Sequence, residues 1–353
     1  MANSTTAPDN LVLLTGATGF IGFRVLQLLL EQNYHVRVAV RSESKIFAIK
    51  NNPSFASLNK TPLLLHARAR LPRPWRLRQG HARRQIRRPR GQPHANKRLR
   101  PPEKHVEYFV TPAVGATLTV LESAKKVGSV EKVVITSSIL ANVPPAVLFG
   151  LEKSEEKFGA DSPRIPDLKP PFSSPMQAYA ASKYAALNAT EAWVRENEPK
   201  FSVVGVFPGY VFGRDAWARE TKDLLGTTNG LLLRPITGGA DESKPDLPQW
   251  ASLDDVAEVH VRALDSKISG HEGFTVAVQG RWEGVPTIVM EGFKREIEEG
   301  LIPENMRSMG TLEIGINNEK TEKMLGRRLR GAEEVVREVV GQYVELVRAG
   351  KGE

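Results

Sequence analysis

The sequence contains no cysteine, which excludes disulfides, thiolate zinc sites, iron–sulfur clusters and cysteine nucleophiles. This absence also fits a reducing compartment. No apolar run approaches the roughly 20 residues that a membrane helix needs. Residues 1–10 are polar and lack both the basic and the apolar region of a secretion signal. These absences predict a soluble, cytoplasmic protein with no membrane association and no metal site.

Acidic residues are missing from one long stretch. Residues 44–102 contain 12 Arg and 4 Lys but neither Asp nor Glu, whereas the net charge of the whole 353-residue chain is only +9. The other 294 residues therefore carry a net charge of −7. Because the basic character is local, it says little about the fold. The length, with 41% hydrophobic and 25% charged residues, predicts a globular protein of about two domains.

The first forty residues have the pattern of a strand, a glycine-rich turn, a helix and a second strand. Residues 11–14 are apolar, and apolar residues then recur at three- and four-residue spacings from Phe20 to Leu30. His35–Val40 alternates as a strand does. This βαβ order predicts an α/β fold with a parallel sheet. Farther along, the same patterns predict strands at 132–138 and 201–207 and helices at 111–126, 178–197 and 332–347.

The glycine-rich turn is a candidate cofactor site. Gly16, Gly19 and Gly22 follow a strand and open a helix, where glycines allow backbone N–H groups to approach a pyrophosphate at the positive end of the helix. The spacing is a variant of the usual dinucleotide fingerprint. An ordinary structural turn is the alternative. The candidate cofactor-binding residues of this turn are Gly16, Thr18, Gly19, Phe20, Ile21 and Gly22.

The end of the second predicted strand indicates which nicotinamide cofactor is used. An enzyme that uses NAD is expected to place an acidic residue near this point, to bind the ribose hydroxyl. This chain has Arg41 and Lys45 instead. Guanidinium and ammonium groups suit the 2′-phosphate of NADP, so we expect NADPH rather than NAD. A solvated loop arginine is the alternative.

A third group of residues suggests acid–base chemistry. Tyr179 and Lys183 are four residues apart in a predicted helix, which places the phenol and the ammonium on one face. A neighbouring ammonium favours the phenolate, so the phenol can exchange a proton with a carbonyl oxygen. Ser138, at the end of an earlier predicted strand, could hydrogen-bond the same oxygen; Ser137 is the alternative. A tyrosine and a lysine at this spacing are common by chance, and only the combination with the glycine turn is specific.

In that combination the sequence resembles the extended short-chain dehydrogenase/reductases of the NAD-dependent epimerase/dehydratase superfamily. The group includes dihydroflavonol reductases, cinnamoyl-CoA reductases and fungal aldehyde/ketone reductases. The resemblance covers about residues 11–60 and 103–347. It is carried by residues 15–22, 110–115, 133–138, 179–183, 208–213, 251–260, 325–326 and 341–343.

The resemblance implies a doubly wound parallel sheet (a Rossmann fold) with a smaller C-terminal substrate-binding lobe. The NADP-binding domain would span 11–214 and the lobe 215–347, with 251–265 returning to the first domain. Tyr179 would be the general acid, Lys183 would also hold the nicotinamide ribose, Ser138 would polarise the carbonyl and Pro208 would flank the nicotinamide. The implied function is NADPH-dependent reduction of a small aldehyde or ketone to an alcohol.

The basic segment 61–102 departs from the family, which has there a strand, a helix and a second strand that line the cofactor. Shifting the reading frame by one nucleotide, with permitted codons, turns residues 87–94 into Val-Val-His-Val-Ala-Ser-Pro-Met, which resembles the missing second strand. We therefore interpret 61–102 as a frame-shifted stretch that is excluded from the sheet and leaves two strand positions vacant. A genuine basic insertion is the alternative.

Three other functions are consistent with parts of the sequence. A nucleotide-sugar epimerase or dehydratase would share Tyr179 and Lys183 but hold NAD, which Arg41 and Lys45 disfavour. A catalytically impaired relative would follow from the altered segment 61–102. A nucleic-acid-binding protein would use the arginines of that segment, but Trp75 is its single aromatic residue and it contains no recognisable binding motif. We therefore do not expect a nucleic-acid partner, and the sequence leaves the oligomeric state open.

Overall fold

The structure is a computed structural model that describes residues 10–56, 58, 63–67 and 102–351. Its strands are β1 (Leu11–Thr15), β2 (His35–Val40), β3 (Leu63–Ala67), β4 (Lys132–Thr136), β5 (Lys157–Phe158), β6 (Ser202–Pro208), β7 (Tyr210–Phe212), β8 (Gln249–Ser252), β9 (His271–Val276), β10 (Val278–Gln279) and β11 (Gly315–Ile316).

The helices begin with α1 (Phe20–Glu31), α2 (Glu43–Lys50), α3 (Pro53–Ala56), α4 (Thr111–Val127), α5 (Pro145–Leu148), α6 (Pro175–Asn197) and α7 (Thr221–Leu225). The remainder are α8 (Asn229–Leu232), α9 (Arg234–Thr237), α10 (Leu253–Arg262), α11 (Val285–Gly292), α12 (Lys294–Glu298), α13 (Glu319–Leu325) and α14 (Ala332–Lys351). No described helix is long and apolar enough to cross a membrane.

Two parallel three-stranded sheets form the centre of the N-terminal part. One has the order β1-β2-β3 and the other the order β4-β6-β9. Strand β6 is covered on both faces: Val203 packs with α4 and α6, whereas Val204 packs with α10. Helix α10 also packs against α1. Helices on both faces of parallel strands confirm the predicted doubly wound α/β fold.

One part of the interpretation of segment 61–102 is wrong. Residues Leu63–Ala67 form β3, which pairs in parallel with β2. The three leucines that precede the basic run supply enough apolar surface for a strand next to β2, so the segment does contribute to the sheet. Apart from β3 and Pro102, the segment lies outside the described residues.

Strands β1 and β4 each have an unpaired edge among the described residues. In that part of the chain β1 pairs only with β2, and β4 pairs only with β6. The side chain of Leu13 in β1 is correspondingly 38% exposed. Strand β3 occupies a sheet position that the sequence interpretation left vacant, and among the described strands β1 and β4 each still have an unpaired edge.

A second core lies in the C-terminal part, around two tryptophans. Trp250 of β8 and Trp282 are fully buried, with ring centroids 4.7 Å apart. Valines of α14 pack against them, among them Val335 and Val339. The short mixed sheet β10-β8-β7 lies in this core. Tyr210, which packs against the core, begins β7 two residues after the end of β6. No described cluster of His, Asp or Glu is arranged to hold a metal ion.

Candidate active site

The glycine turn after β1 is shaped by close backbone contacts. Gly16 has φ = +75°, a left-handed conformation that favours glycine, and its carbonyl accepts a 2.8 Å hydrogen bond from the amide of Gly19. A Cβ on Gly22 would lie 2.3 Å from the Gly16 carbonyl oxygen, so only glycine fits there. The sequence motif is therefore a sterically required turn.

Helix α1 offers a favourable site for an anion. Its N-cap is Gly19, which has no side chain to cap the first amides, and the first turn has no acidic residue. The first amides of a helix lack intrahelical partners and carry the positive end of the helix dipole. Phe20 and Ile21 begin this helix and pack into the core below it, and Thr18 lies in the turn. These residues fit a pyrophosphate.

Arg41 and Lys45 lie at the same sheet edge as the glycine turn. Strands β1 and β2 are parallel, with Thr15 opposite Ala39, so both strands end side by side. Arg41 is exposed directly beyond β2, and Lys45 lies in the first turn of α2. The two cations are therefore near the place where the adenosine ribose of a bound dinucleotide would lie.

Tyr179 and Lys183 are neighbours on α6, as their spacing predicts. The Lys183 Nζ atom lies 5.3 Å from the centroid of the Tyr179 ring. Ser174 caps this helix by accepting a 3.1 Å hydrogen bond from the amide of Gln177, which fixes the turn just before Tyr179. The phenol and ammonium groups are thus held on one face of a rigid, 23-residue helix.

Ser138 lies in the turn that follows β4. It is 8% exposed, and its Oγ accepts a 3.3 Å hydrogen bond from the amide of Leu140, which leaves its hydroxyl proton free for another acceptor. Leu140 and Tyr179 belong to one hydrophobic cluster, so packing brings α6 to this turn. The alternative, Ser137, donates its backbone amide to the Val206 carbonyl at 2.7 Å.

Pro208 lies at the same edge of the second sheet. Thr136 is opposite Val206 in the β4–β6 register, so Ser138 and Pro208 both follow at the carboxyl ends of these strands. Pro208 is buried and pairs with Val276 of β9. Ligands of open α/β sheets bind beyond these carboxyl ends, and all the predicted site residues lie at carboxyl-terminal strand edges or on the helices that follow them.

A polar group that the sequence did not predict lies beside Tyr179. The Tyr210 hydroxyl donates to Asp246 Oδ1 at 3.0 Å, and Arg234 lies 3.9 Å from the other oxygen of that carboxylate. Burial, followed by the charge of Asp246, raises the pKa of Tyr210 well above its ordinary value, and Tyr179 is close enough to contribute. Tyr210 belongs to a motif quoted above, but nothing in the sequence places Asp246 next to it.

Three comparisons with known proteins agree with this geometry. A family model described as "NAD dependent epimerase/dehydratase family" matches residues 101–277. The chain is 34% identical to the ketoreductase CTB6 of Cercospora nicotianae, over 98% of both chains. It is 27% identical to the NADPH-dependent methylglyoxal reductase GRE2 of Saccharomyces cerevisiae, over 95% of this chain and 98% of that one.

The fold is also similar to a solved structure. The yeast methylglyoxal/isovaleraldehyde reductase Gre2, complexed with NADPH, superimposes with a TM-score of 0.69 over 95% of this chain and 98% of that one, at 23% identity.

Proposed function

Because this chain belongs to the NAD dependent epimerase/dehydratase family, we propose that it reduces a small aldehyde or ketone with NADPH. It is an extended short-chain reductase, as its motifs predict, and its relatives include a ketoreductase and a methylglyoxal reductase. The observation that carries the proposal is the placement of Lys183 against the Tyr179 ring, on a helix packed against the turn of Ser138.

The glycine turn and the end of β2 would hold the cofactor. Gly22 packs so closely against the Gly16 backbone that no Cβ fits, and this contact holds the turn whose amides would bind the pyrophosphate. Arg41 and Lys45 would bind the 2′-phosphate, and a guanidinium is well suited to bidentate contact with it. Pro208 would flank the nicotinamide, and Lys183 would hold its ribose. When bound, NADPH supplies the hydride.

The protein's own residues would orient the carbonyl and supply the proton. Ser138 would donate its free hydroxyl proton to the carbonyl oxygen, which polarises the carbonyl group. Tyr179 would then donate its phenolic proton to the same oxygen as negative charge develops there. The Lys183 ammonium beside the ring stabilises the resulting phenolate.

Tyr210 would border the substrate from the side of the C-terminal lobe, residues 215–347. Its raised pKa keeps it protonated, so the phenol remains a hydrogen-bond donor to Asp246. The lobe contributes Asp246 and Arg234, and Tyr210 follows directly from the strand that ends at Pro208. A polar substituent near the substrate carbonyl would therefore lie against the polar group formed by Tyr210, Asp246 and Arg234.

The proposal is tested by measuring the decrease in NADPH absorbance when the protein is mixed with NADPH and each of a panel of aldehydes and ketones, methylglyoxal among them. We expect saturable, NADPH-dependent turnover of at least one carbonyl compound and much slower turnover with NADH. Oxidation of NADPH that does not depend on the carbonyl compound would contradict the proposal. So would turnover that survives unchanged in a Tyr179→Phe, Lys183→Ala double variant.

A further inference from the structure

The polar group beside Tyr179 has hydrogen-bonding capacity that the protein itself leaves unused. Asp246 Oδ1 accepts from the Tyr210 hydroxyl at 3.0 Å and from the amide of Leu247 at 2.8 Å. The other oxygen of this carboxylate, Oδ2, accepts no hydrogen bond from the residues that the structure describes. Arg234 Nη1 lies 3.9 Å from Oδ2, which is an ion-pair distance but too long for a hydrogen bond.

The guanidinium of Arg234 is also incompletely bonded. In the described part of the chain, its hydrogen-bond acceptor is the Met309 sulfur, 3.8 Å from Nη1, and a thioether accepts weakly. The side chains of Arg234 and Asp246 are 27% and 19% exposed, so a small molecule can reach both. We call Arg234 and Asp246 the charged pair.

The two members of the charged pair belong to separately anchored segments. The amide of Asp246 donates to the Gly310 carbonyl at 2.9 Å, and its carbonyl accepts from the amide of Leu312 at 3.0 Å. Arg234 begins α9, and a Cβ on Gly239 would lie 3.4 Å from the Arg234 Cγ atom. The gap between the two charges is therefore set by the packing of these segments.

Tyr210 connects the charged pair to the proposed reaction site. It begins β7 two residues beyond Pro208, and it packs in the same hydrophobic cluster as Tyr179. Leu247 and Leu312, which neighbour the charged pair, belong to this cluster as well. A substrate whose carbonyl group lies at Tyr179 would therefore pass over apolar side chains before it reaches the charged pair.

The charged pair discriminates among the polar groups that a substrate can carry. A hydroxyl both donates and accepts, so one hydroxyl oxygen about 2.8 Å from each charged atom can donate to Asp246 Oδ2 and accept from Arg234. A second ketone oxygen would only accept and would leave Asp246 without a donor. Asp246 would repel a carboxylate, and Arg234 would repel an ammonium group. A neutral hydroxyl suits both members.

We propose that the preferred substrate is a hydroxylated aldehyde or ketone, with its hydroxyl group between Asp246 and Arg234 and its carbonyl group at Tyr179. Asp246 and Arg234 are then specificity-determining residues. This inference rests on the reductase function proposed above and adds the substrate class.

Three matched pairs of ketones test the substrate class: hydroxyacetone with butanone, 4-hydroxy-2-butanone with 2-pentanone, and 5-hydroxy-2-pentanone with 2-hexanone. Within each pair a hydroxyl replaces a methyl group of similar size, and the three lengths sample the distance from the carbonyl. We expect kcat/KM to favour the hydroxylated ketone by roughly tenfold or more in at least one pair, the scale of a hydrogen bond to a charged group.

Variants of the charged pair test which residues cause this preference. The oxygen of Asp246→Asn can keep both bonds that Oδ1 accepts, but the variant has no negative charge. We expect the hydroxyl preference to be lost and levulinate, a ketone that carries a carboxylate, to gain roughly tenfold in kcat/KM, because Arg234 is no longer opposed. Arg234→Met should lose the preference without any gain for levulinate. Asp241→Asn removes a surface carboxylate that pairs with Lys244; it is the control and should change neither.

Ligand-observed NMR with the full chain measures binding of the same ketone pairs without turnover. If no ketone is reduced, the reductase function is wrong, and the binding preference still decides whether the charged pair recognises a hydroxyl. The inference is overturned if the hydroxylated ketones neither react nor bind better than their partners. It is also overturned if Asp246→Asn affects all ketones alike, as a purely structural role would, or if Asp241→Asn has the same effect.

Discussion

Thr136 Oγ1 lies 2.7 Å from His260 Nε2, and this hydrogen bond joins the end of β4 to α10. The other ring nitrogen, Nδ1, lies 2.7 Å from the Val256 carbonyl oxygen, which can only accept. Nδ1 therefore carries a proton, and in the neutral imidazole, which burial favours by lowering the pKa, Nε2 accepts from the Thr136 hydroxyl. Since Ser138 is two residues beyond Thr136, His260 helps to fix the strand end that carries the proposed catalytic serine.

This arrangement predicts a pH dependence of stability. Burial lowers the pKa of His260 below its ordinary value of 6.5, so the unfolded chain takes up a proton at a higher pH than the folded one. The stabilisation is therefore complete above about pH 6.5 and is lost as the pH falls towards the folded-state value. Urea unfolding between about pH 7.5 and 5 should show a larger loss for the unmutated protein than for His260→Gln. His35→Gln is the control and should keep the pH dependence; equal curves for the protein and His260→Gln would contradict this account.

Removing the phenolic hydroxyl should abolish most of the activity. We expect Tyr179→Phe to reduce turnover by about two to four orders of magnitude, the scale of general acid catalysis. NADPH binding, followed by fluorescence, should survive because the ring remains beside Lys183. Tyr34→Phe, at the amino-terminal end of β2, serves as the control. Near-normal turnover of Tyr179→Phe would mean that the proton comes from another group.

Cofactor preference should depend on the end of β2. Arg41→Asp replaces a phosphate-binding cation by a carboxylate that repels phosphate and can accept from a ribose hydroxyl. The ratio of NADPH to NADH affinity should fall or reverse, while Arg37→Asp, on the same strand, should leave it largely unchanged. Equal affinities of the unmutated protein for both cofactors would remove the inference.

Gly22 should not tolerate even a methyl group. Alanine there would force its Cβ against the Gly16 carbonyl, at 2.3 Å, and this contact involves backbone that cannot move aside cheaply. Gly22→Ala should therefore weaken NADPH binding strongly and lower stability. Gly115→Ala is the matched control, since a Cβ there meets nothing within 4 Å. In the interior of α4 it should stabilise by about 0.5–1 kcal/mol. Similar effects of both changes would refute the steric argument.

Restoring the reading frame across codons 61–102 should add a strand to the sheet, where β1 and β4 each have an unpaired edge among the described residues. The exposed Leu13 on β1 would then be covered, and burial of apolar surface should raise stability. We expect the frame-restored chain to resist limited proteolysis in the stretch that corresponds to Arg68–Arg100. We also expect it to reduce carbonyl compounds faster than the chain with the printed sequence. Equal resistance and equal activity would show that the segment is a genuine insertion. The transcript sequence across the same codons provides an independent check.

Much of the structure of this protein is determined by local sequence patterns. The glycine turn, the alternation of β2 and the helical spacing of Tyr179 and Lys183 depend on neighbours within about ten residues, where backbone sterics and side-chain periodicity decide the structure. These signals predicted the α/β fold and the positions of the candidate site residues. They erred at β3, because a run of three leucines is too short to be distinguished from the basic sequence around it.

Only the tertiary structure brought together residues that are far apart in sequence. Asp246 and Arg234 meet Tyr210 because the chain after β7 folds back onto the end of β6, and His260 meets Thr136 because α10 packs against the sheet. Such contacts depend on which surfaces are buried together, and no short-range pattern records this.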